Sequence, residues 1–75
     1  MLKRLSEIQA GKSATIRDFE KDDLLVKLME MGFLPGEIVR VEHIAPFGDP
    51  IAIFVSGYHL SLRKNEAAKV IVEEI

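Results

Sequence analysis

Glycines and prolines recur so closely along this chain that most of the segments between them have room only for short strands. Gly11 precedes the first such segment, and Ser56-Gly57 suits a two-residue hairpin turn whose glycine can adopt positive φ. Pro35-Gly36 suits the second and third positions of a type II turn. This spacing favours a meander of short antiparallel strands over a helical bundle.

Five segments between these turns have the apolar–polar alternation of half-buried strands. We expect Ile16 to face inward in the first segment, and Val70 and Val72 in the last. The segments are SATIRDF (13–19), EIVRVEHI (37–44), PIAIFVS (50–56), YHLSLR (58–63) and KVIVEEI (69–75).

A single helix is predicted after the first of these strands. Leu24, Leu28 and Met31 recur at helical spacing and define an apolar stripe. Asp22 is placed to cap the N-terminus, and Gly32 stands where a left-handed residue ends a helix. Short helical turns are expected near Ser6 and near Asn65, each of which can cap one.

Together these elements predict a single mainly-β domain over residues 1–75. The best match is a small SH3-like β-barrel of about five strands, with one α-helix after the first strand and short helical turns. Closure of such a barrel would remove exposed strand edges. An open sheet covered by the helix is the alternative.

Composition limits what a chain of 75 residues can be. It has no cysteine, so neither a disulfide nor a thiolate zinc site can supplement its small core. Hydrophobic residues make up 48% and charged residues 29%, which is a folded balance. No stretch resembles a membrane span or a secretory signal, so we expect a cytoplasmic location without membrane insertion.

Net charge and motif content disfavour two function classes. The formal charge of -2 argues against nucleic acid as the partner, which makes an RNA-binding barrel the weakest alternative. No nucleophile elbow, phosphate-binding glycine loop or paired-histidine metalloprotease motif is present, so no catalytic residues are predicted and an enzyme is not expected.

Two histidines are the only candidates for a metal site. His43 shares the inward alternation of its strand but stands at its end, whereas His59 faces outward. Asp49, Glu42 or Glu66 can add carboxylate ligands to a weak divalent site, for Fe²⁺ or Zn²⁺. Nothing in the spacing requires a metal, and no cofactor is predicted to be essential.

The loop APFGDP carries the most unusual residues. Pro46 restricts φ and removes a donor, Gly48 permits positive φ, and Asp49 can bond nearby backbone amides. In one interpretation Phe47 folds back to cover an open end of the barrel. In the other, the rigid loop holds Phe47 outward as a binding anchor.

The second interpretation predicts an apolar partner-binding surface. Phe33 and Leu34 follow the helix in a turn, and Tyr58 begins the fourth strand segment. We expect Phe33 and Leu34 to join Phe47 on one surface, with either Tyr58 or the exposed side of the helix beside them. Arg63, outward at the end of the same segment, is predicted to bond either Asp49 or carbonyls of the loop and so hold the loop in place.

Three strings in register carry a resemblance to one family: LMEMGFLPGEIVRV, IAPFGDPIAIFV and YHLSLRKNEAAKVIVE. They are similar to the FeoA family of small bacterial ferrous iron transport proteins, and the match runs from Leu5 to Glu73. The resemblance implies an SH3-like barrel that serves as an accessory to the membrane ferrous iron transporter FeoB, by contact with its cytoplasmic GTPase region.

The resemblance leaves the detailed mode of action open. FeoA-like domains also occur in metal-dependent transcriptional repressors, so a metal-responsive regulatory domain is the alternative function. The absence of a helix-turn-helix fits the stand-alone version better. Unpaired strand edges and apolar surface also make a homo-oligomer conceivable.

Overall fold

Six antiparallel strands form one sheet in the computed structural model, which describes residues 1–75. The elements are β1 (Leu2–Arg4), a 3₁₀ turn (Leu5–Glu7), β2 (Ser13–Phe19), α1 (Asp23–Glu30), β3 (Ile38–Ile44), β4 (Ile51–Val55), β5 (Tyr58–Leu62), α2 (Lys64–Ala67) and β6 (Val70–Glu74).

The strand order is β1-β6-β2-β3-β4-β5, so the last strand inserts between the first two. The mainly-β prediction is confirmed, with one strand more than expected. Hydrogen bonds do not close the sheet, and β1 and β5 are its two edges. Neither helix has the length and apolar character needed to cross a bilayer.

The strand faces follow the predicted alternation. Ile16 on β2 and Val70 and Val72 on β6 are fully buried. The remaining buried side chains come mainly from β3, β4 and α1, and all of the buried residues are hydrophobic. They form one core cluster: Leu5, Ile8, Ala14, Ile16, Leu25, Leu28, Phe33, Val39, Val41, Ile51, Ile53, Val55, Leu62, Ala67, Val70 and Val72.

The helix begins and ends as predicted. Leu24 donates its backbone N–H to Asp22 Oδ1 over 2.9 Å, so Asp22 caps α1. At the other end Gly32 has a φ of +99°. A Cβ atom on Gly32 would lie 2.7 Å from Ser56 Oγ, so the end of α1 packs closely against the turn between β4 and β5.

Two turns have their predicted conformations, but two short helical turns are capped by residues other than the predicted ones. Ser56 and Gly57 both have positive φ, and Glu37 N–H donates to the Leu34 carbonyl across the Pro-Gly turn. The 3₁₀ turn and α2 are not capped by Ser6 and Asn65. In each of them a glutamate side chain accepts a hydrogen bond from the backbone N–H three residues earlier. Glu7 accepts from Arg4, and Glu66 accepts from Arg63.

Asp22 also ties the start of α1 to the start of β6. Its Oδ2 accepts from Lys69 Nζ at 2.5 Å, and this bond, followed by the one from Leu24, holds the pKa of Asp22 below its usual value. The same bond raises the pKa of Lys69. A second ion pair, Lys3 with Glu74, joins β1 to β6 and lowers the pKa of Glu74.

The Asp22–Lys69 pair predicts an acid-dependent contribution to stability. Since the folded-state pKa of Asp22 is lowered, this contribution is present above the unfolded pKa of about 4 and disappears as pH falls through the folded value. Asp22→Asn keeps a capping side chain but loses the charge. We expect the variant to be less stable than the wild type at neutral pH and equally stable once the wild-type carboxylate is protonated.

Urea unfolding across the acid range measures this difference. Asp23→Asn is the matched control, because Asp23 is an exposed carboxylate in the same helical turn and forms no ion pair. A gap between wild type and Asp22→Asn that persists unchanged at low pH would show that the amide disrupts the cap rather than the ion pair.

Candidate functional site

The loop between β3 and β4 is tied down by three hydrogen bonds. Gly48 N–H donates to the Ala45 carbonyl at 2.7 Å, and Ala45 N–H donates to the Pro50 carbonyl at 3.1 Å. From outside the loop, Lys64 N–H donates to Asp49 Oδ1 at 3.2 Å. The backbone conformation of the loop is therefore set by its own residues and by the start of α2.

Phe47 occupies the outer corner of this loop. Pro46 and Phe47 are the central residues of the turn closed by Gly48, which has a φ of +84°. The Phe47 side chain is 97% exposed, so the interpretation in which it covers the end of the barrel is wrong. A large aromatic ring held in water on an ordered loop is suited to anchor a partner with little loss of entropy.

Arg63 does not hold the loop in the predicted way. Asp49 is bonded by the backbone N–H of Lys64, and the ion pairs of the structure do not include Arg63. The reason is positional: β5 ends at Leu62, so Arg63 starts the turn into α2 and its backbone N–H bonds Glu66.

Phe33 is a core residue, and its predicted place on a binding surface was wrong. Only 1% of the residue is exposed, and its ring lies 5.4 Å from that of Phe19, centroid to centroid. Phe33 N–H donates to the Leu28 carbonyl at 3.1 Å. The chain thus folds back after Gly32 and directs the aromatic side chain inward.

Leu34 and Tyr58 are exposed, but not beside Phe47. They are 41% and 49% exposed and lie at the end of the sheet where Gly32 meets Ser56. Phe47 lies beyond the opposite end of β4, which extends about 13 Å. The predicted residues therefore lie at two separate places: Phe47 is on the β3–β4 loop, whereas Leu34 and Tyr58 form an apolar rim at the other end of the sheet.

A small groove between α1 and the end of β2 was not foreseen from the sequence. It has a volume of about 180 Å³ and four apolar lining residues, Phe19, Leu25, Val26 and Met29. This is below the range of about 300–1,000 Å³ typical of small-molecule sites. The groove arises from the packing of two elements, which no local pattern reveals.

The two histidines lie on the outer face of the sheet. A bulge in β3 between Val41 and His43 reverses the alternation, so His43 is exposed opposite Ala52. His59 Nδ1 lies 2.8 Å from Glu42 Oε1. No group of three or more histidine and carboxylate side chains is arranged to hold a metal ion.

Comparison with known proteins gives a consistent result. The FeoA domain model matches residues 3–74. A relative from Porphyromonas gingivalis, an Fe(2+) transport protein A/Fe(2+) transporter FeoB fusion protein, is 40% identical over 73 residues, which are 96% of this chain and 9% of the relative.

Solved structures agree in fold. The solution structure of iron(II) transport protein A from Clostridium thermocellum has a TM-score of 0.87 at 36% identity, over 97% of this chain and 46% of that one. Stenotrophomonas maltophilia FeoA complexed with zinc, described as an SH3 domain protein, has a TM-score of 0.82 at 32% identity, over 97% and 89%.

The chain thus spans only a small part of the fusion protein and about half of the C. thermocellum chain. The match nonetheless covers almost every residue here, and the fold is SH3-like as the sequence predicted. The chain belongs to the FeoA family of ferrous iron transport proteins.

Proposed function

We propose that this protein is a cytoplasmic accessory of bacterial ferrous iron uptake that acts by binding a FeoB-type membrane transporter. The observation that carries the proposal is the relative in which a similar segment and the transporter form one polypeptide. Fusion keeps two partners together permanently, as expected for domains that otherwise associate as separate chains.

The β3–β4 loop is the contact surface that best fits this role. Its three hydrogen bonds leave little conformational entropy to lose on docking, and Phe47 offers nearly its whole ring to a partner pocket. The Lys64 ammonium lies 3.9 Å from where a Cβ atom on Gly48 would stand, and it and the exposed guanidinium of Arg63 can add polar contacts at the rim of such an interface. The cytoplasmic GTPase region of the transporter is the proposed docking partner.

Binding, rather than catalysis, is the activity we propose. Active sites shift pKa values with buried or convergent groups. In this chain the shifted values belong to Lys3 with Glu74 and Asp22 with Lys69, two surface ion pairs that connect elements of the fold. Their cause is structural, and none of these groups lies at the β3–β4 loop.

Co-purification tests the proposal. Tagged protein is mixed with full-length FeoB-type transporter in detergent, with and without guanine nucleotide, and retained transporter is quantified. We expect the tagged protein to retain the transporter, and an excess of untagged protein to reduce the amount retained. If an unrelated tagged SH3-like domain of the same size and charge retains as much transporter, the proposal is contradicted.

A second candidate function, divalent metal binding, is favoured by the His59–Glu42 contact. If Nδ1 donates to the carboxylate, the other ring nitrogen is left as an outward-facing acceptor, as in histidines that bind metal. The relative from S. maltophilia was solved with zinc. We propose His59, with Glu42 behind it, as the ligand of a weak Zn²⁺ or Fe²⁺ site.

Calorimetric titration with Zn²⁺, and with Fe²⁺ under anaerobic conditions, measures this site. We expect weak binding that His59→Ala removes and that His43→Ala preserves, because His43 lacks an equivalent carboxylate contact. Identical isotherms for the wild type and His59→Ala would exclude the site.

A further inference from the structure

The edge formed by β5 carries backbone groups that no other part of the protein pairs. β5 pairs only with β4, and a two-residue hairpin turn connects the two strands. Val55 and Tyr58 flank this turn and face each other. Such a turn puts Tyr58, Leu60 and Leu62 in hydrogen-bonded pairs and turns the N–H and C=O of the residues between them outward. No other backbone hydrogen bond involves His59 or Ser61.

The two edges of the sheet differ in how they are protected. β1 has only three residues, and Lys3 and Arg4 place charge on it. Short edge strands and basic side chains discourage pairing with another chain. β5 has five residues, no lysine, no proline and no register shift, so it lacks these protections.

We propose that β5 is a self-association edge, on which a second copy of this chain adds its own β5 in antiparallel register about Leu60. A twofold axis at Leu60 brings His59 opposite Ser61 of the second copy, and Ser61 opposite its His59. Each facing pair exchanges two N–H···O=C bonds, so all four outward groups of each strand are satisfied.

The side chains of β5 suit a second copy better than a charged partner. No residue from Tyr58 to Leu62 carries a formal charge with histidine neutral, so self-pairing meets no like-charge repulsion. On the core side, Leu60 meets its own counterpart and Tyr58 lies beside Leu62 of the second copy. Tyr58, half exposed in the single chain, would then lose much of its contact with water.

The pairing is expected to be weak because it is small. A five-residue strand buries less than the roughly 1,200 Å² of a standard stable interface, so we expect a dissociation constant of up to about 1 mM. The inference rests on the unpaired backbone groups of β5 and does not depend on the proposed transporter contact.

Sedimentation velocity over a concentration series tests the inference, together with amide hydrogen exchange read by NMR. We expect reversible dimers and slowed exchange of the His59 and Ser61 amides at high concentration. Ser61→Pro removes one outward donor per copy without touching a β4 bond, so it should weaken dimerisation about tenfold or more.

Two further variants keep the test decisive. Ser61→Lys places a charge on the edge in case proline disturbs the strand, and Gln9→Lys adds the same charge at an exposed site outside β5. Dimers retained in Gln9→Lys and lost in a folded Ser61→Lys support the inference. It is overturned if the wild type stays monomeric at about 1 mM, if Ser61→Lys dimerises normally, or if the two amides are protected only by added transporter.

Discussion

Replacing Phe47 with alanine is expected to weaken binding to a FeoB-type transporter roughly thirtyfold, the effect of losing about 2 kcal/mol at an interface hot spot. The free energy of unfolding should change by no more than about 0.5 kcal/mol, because the side chain is 97% exposed and contributes little to the core. Titration of the purified transporter against labelled protein, with urea unfolding in parallel, measures both quantities.

Two variants make the Phe47 result specific to the loop. Leu34→Ala removes an exposed apolar side chain at the opposite end of the sheet and should leave affinity nearly unchanged. Phe47→Trp keeps a large aromatic ring and should retain most of the binding. If Leu34→Ala weakens binding while Phe47→Ala does not, the partner contacts the apolar rim and the assignment of the β3–β4 loop is wrong.

Strand alternation is the part of the fold that could be read directly from the sequence. Ile51, Ile53 and Val55 alternate with Ala52 and Phe54, and the first three are buried. A period of two maps onto the two faces of a strand without tertiary information. The same local logic located the helix cap and the positive-φ glycines.

Features that depend on tertiary pairing could not be predicted. β1 spans only Leu2–Arg4 and has two basic residues, so it becomes a strand only because β6 lies beside it. His43 was expected at an inward position, and the bulge after Val41 moved it to the surface. Neither the added strand nor the bulge leaves a clear mark in the local sequence.

The candidate site depended on two phenylalanines that sequence alone could not distinguish. Phe33 and Phe47 both stand between turn residues, outside any regular element. Phe33 is drawn inward by the return of the chain after α1 and packs on Phe19, whereas Phe47 is on a loop that projects beyond the sheet. Burial here is decided by the direction of the backbone rather than by the residue type.

Phe33→Ala is therefore expected to act on stability, with the largest effect of any change considered. Removing a buried phenylalanine costs about 3–5 kcal/mol, close to the whole stability of about 3–5 kcal/mol expected from a core of this size. We expect a large unfolded fraction at 25 °C by circular dichroism, whereas Phe33→Leu should lose only about 1–2 kcal/mol and remain folded.

Folded Phe33→Leu should also bind the transporter with wild-type affinity, because the ring makes no outward contact. A fully folded Phe33→Ala protein with impaired binding would instead return Phe33 to the binding surface.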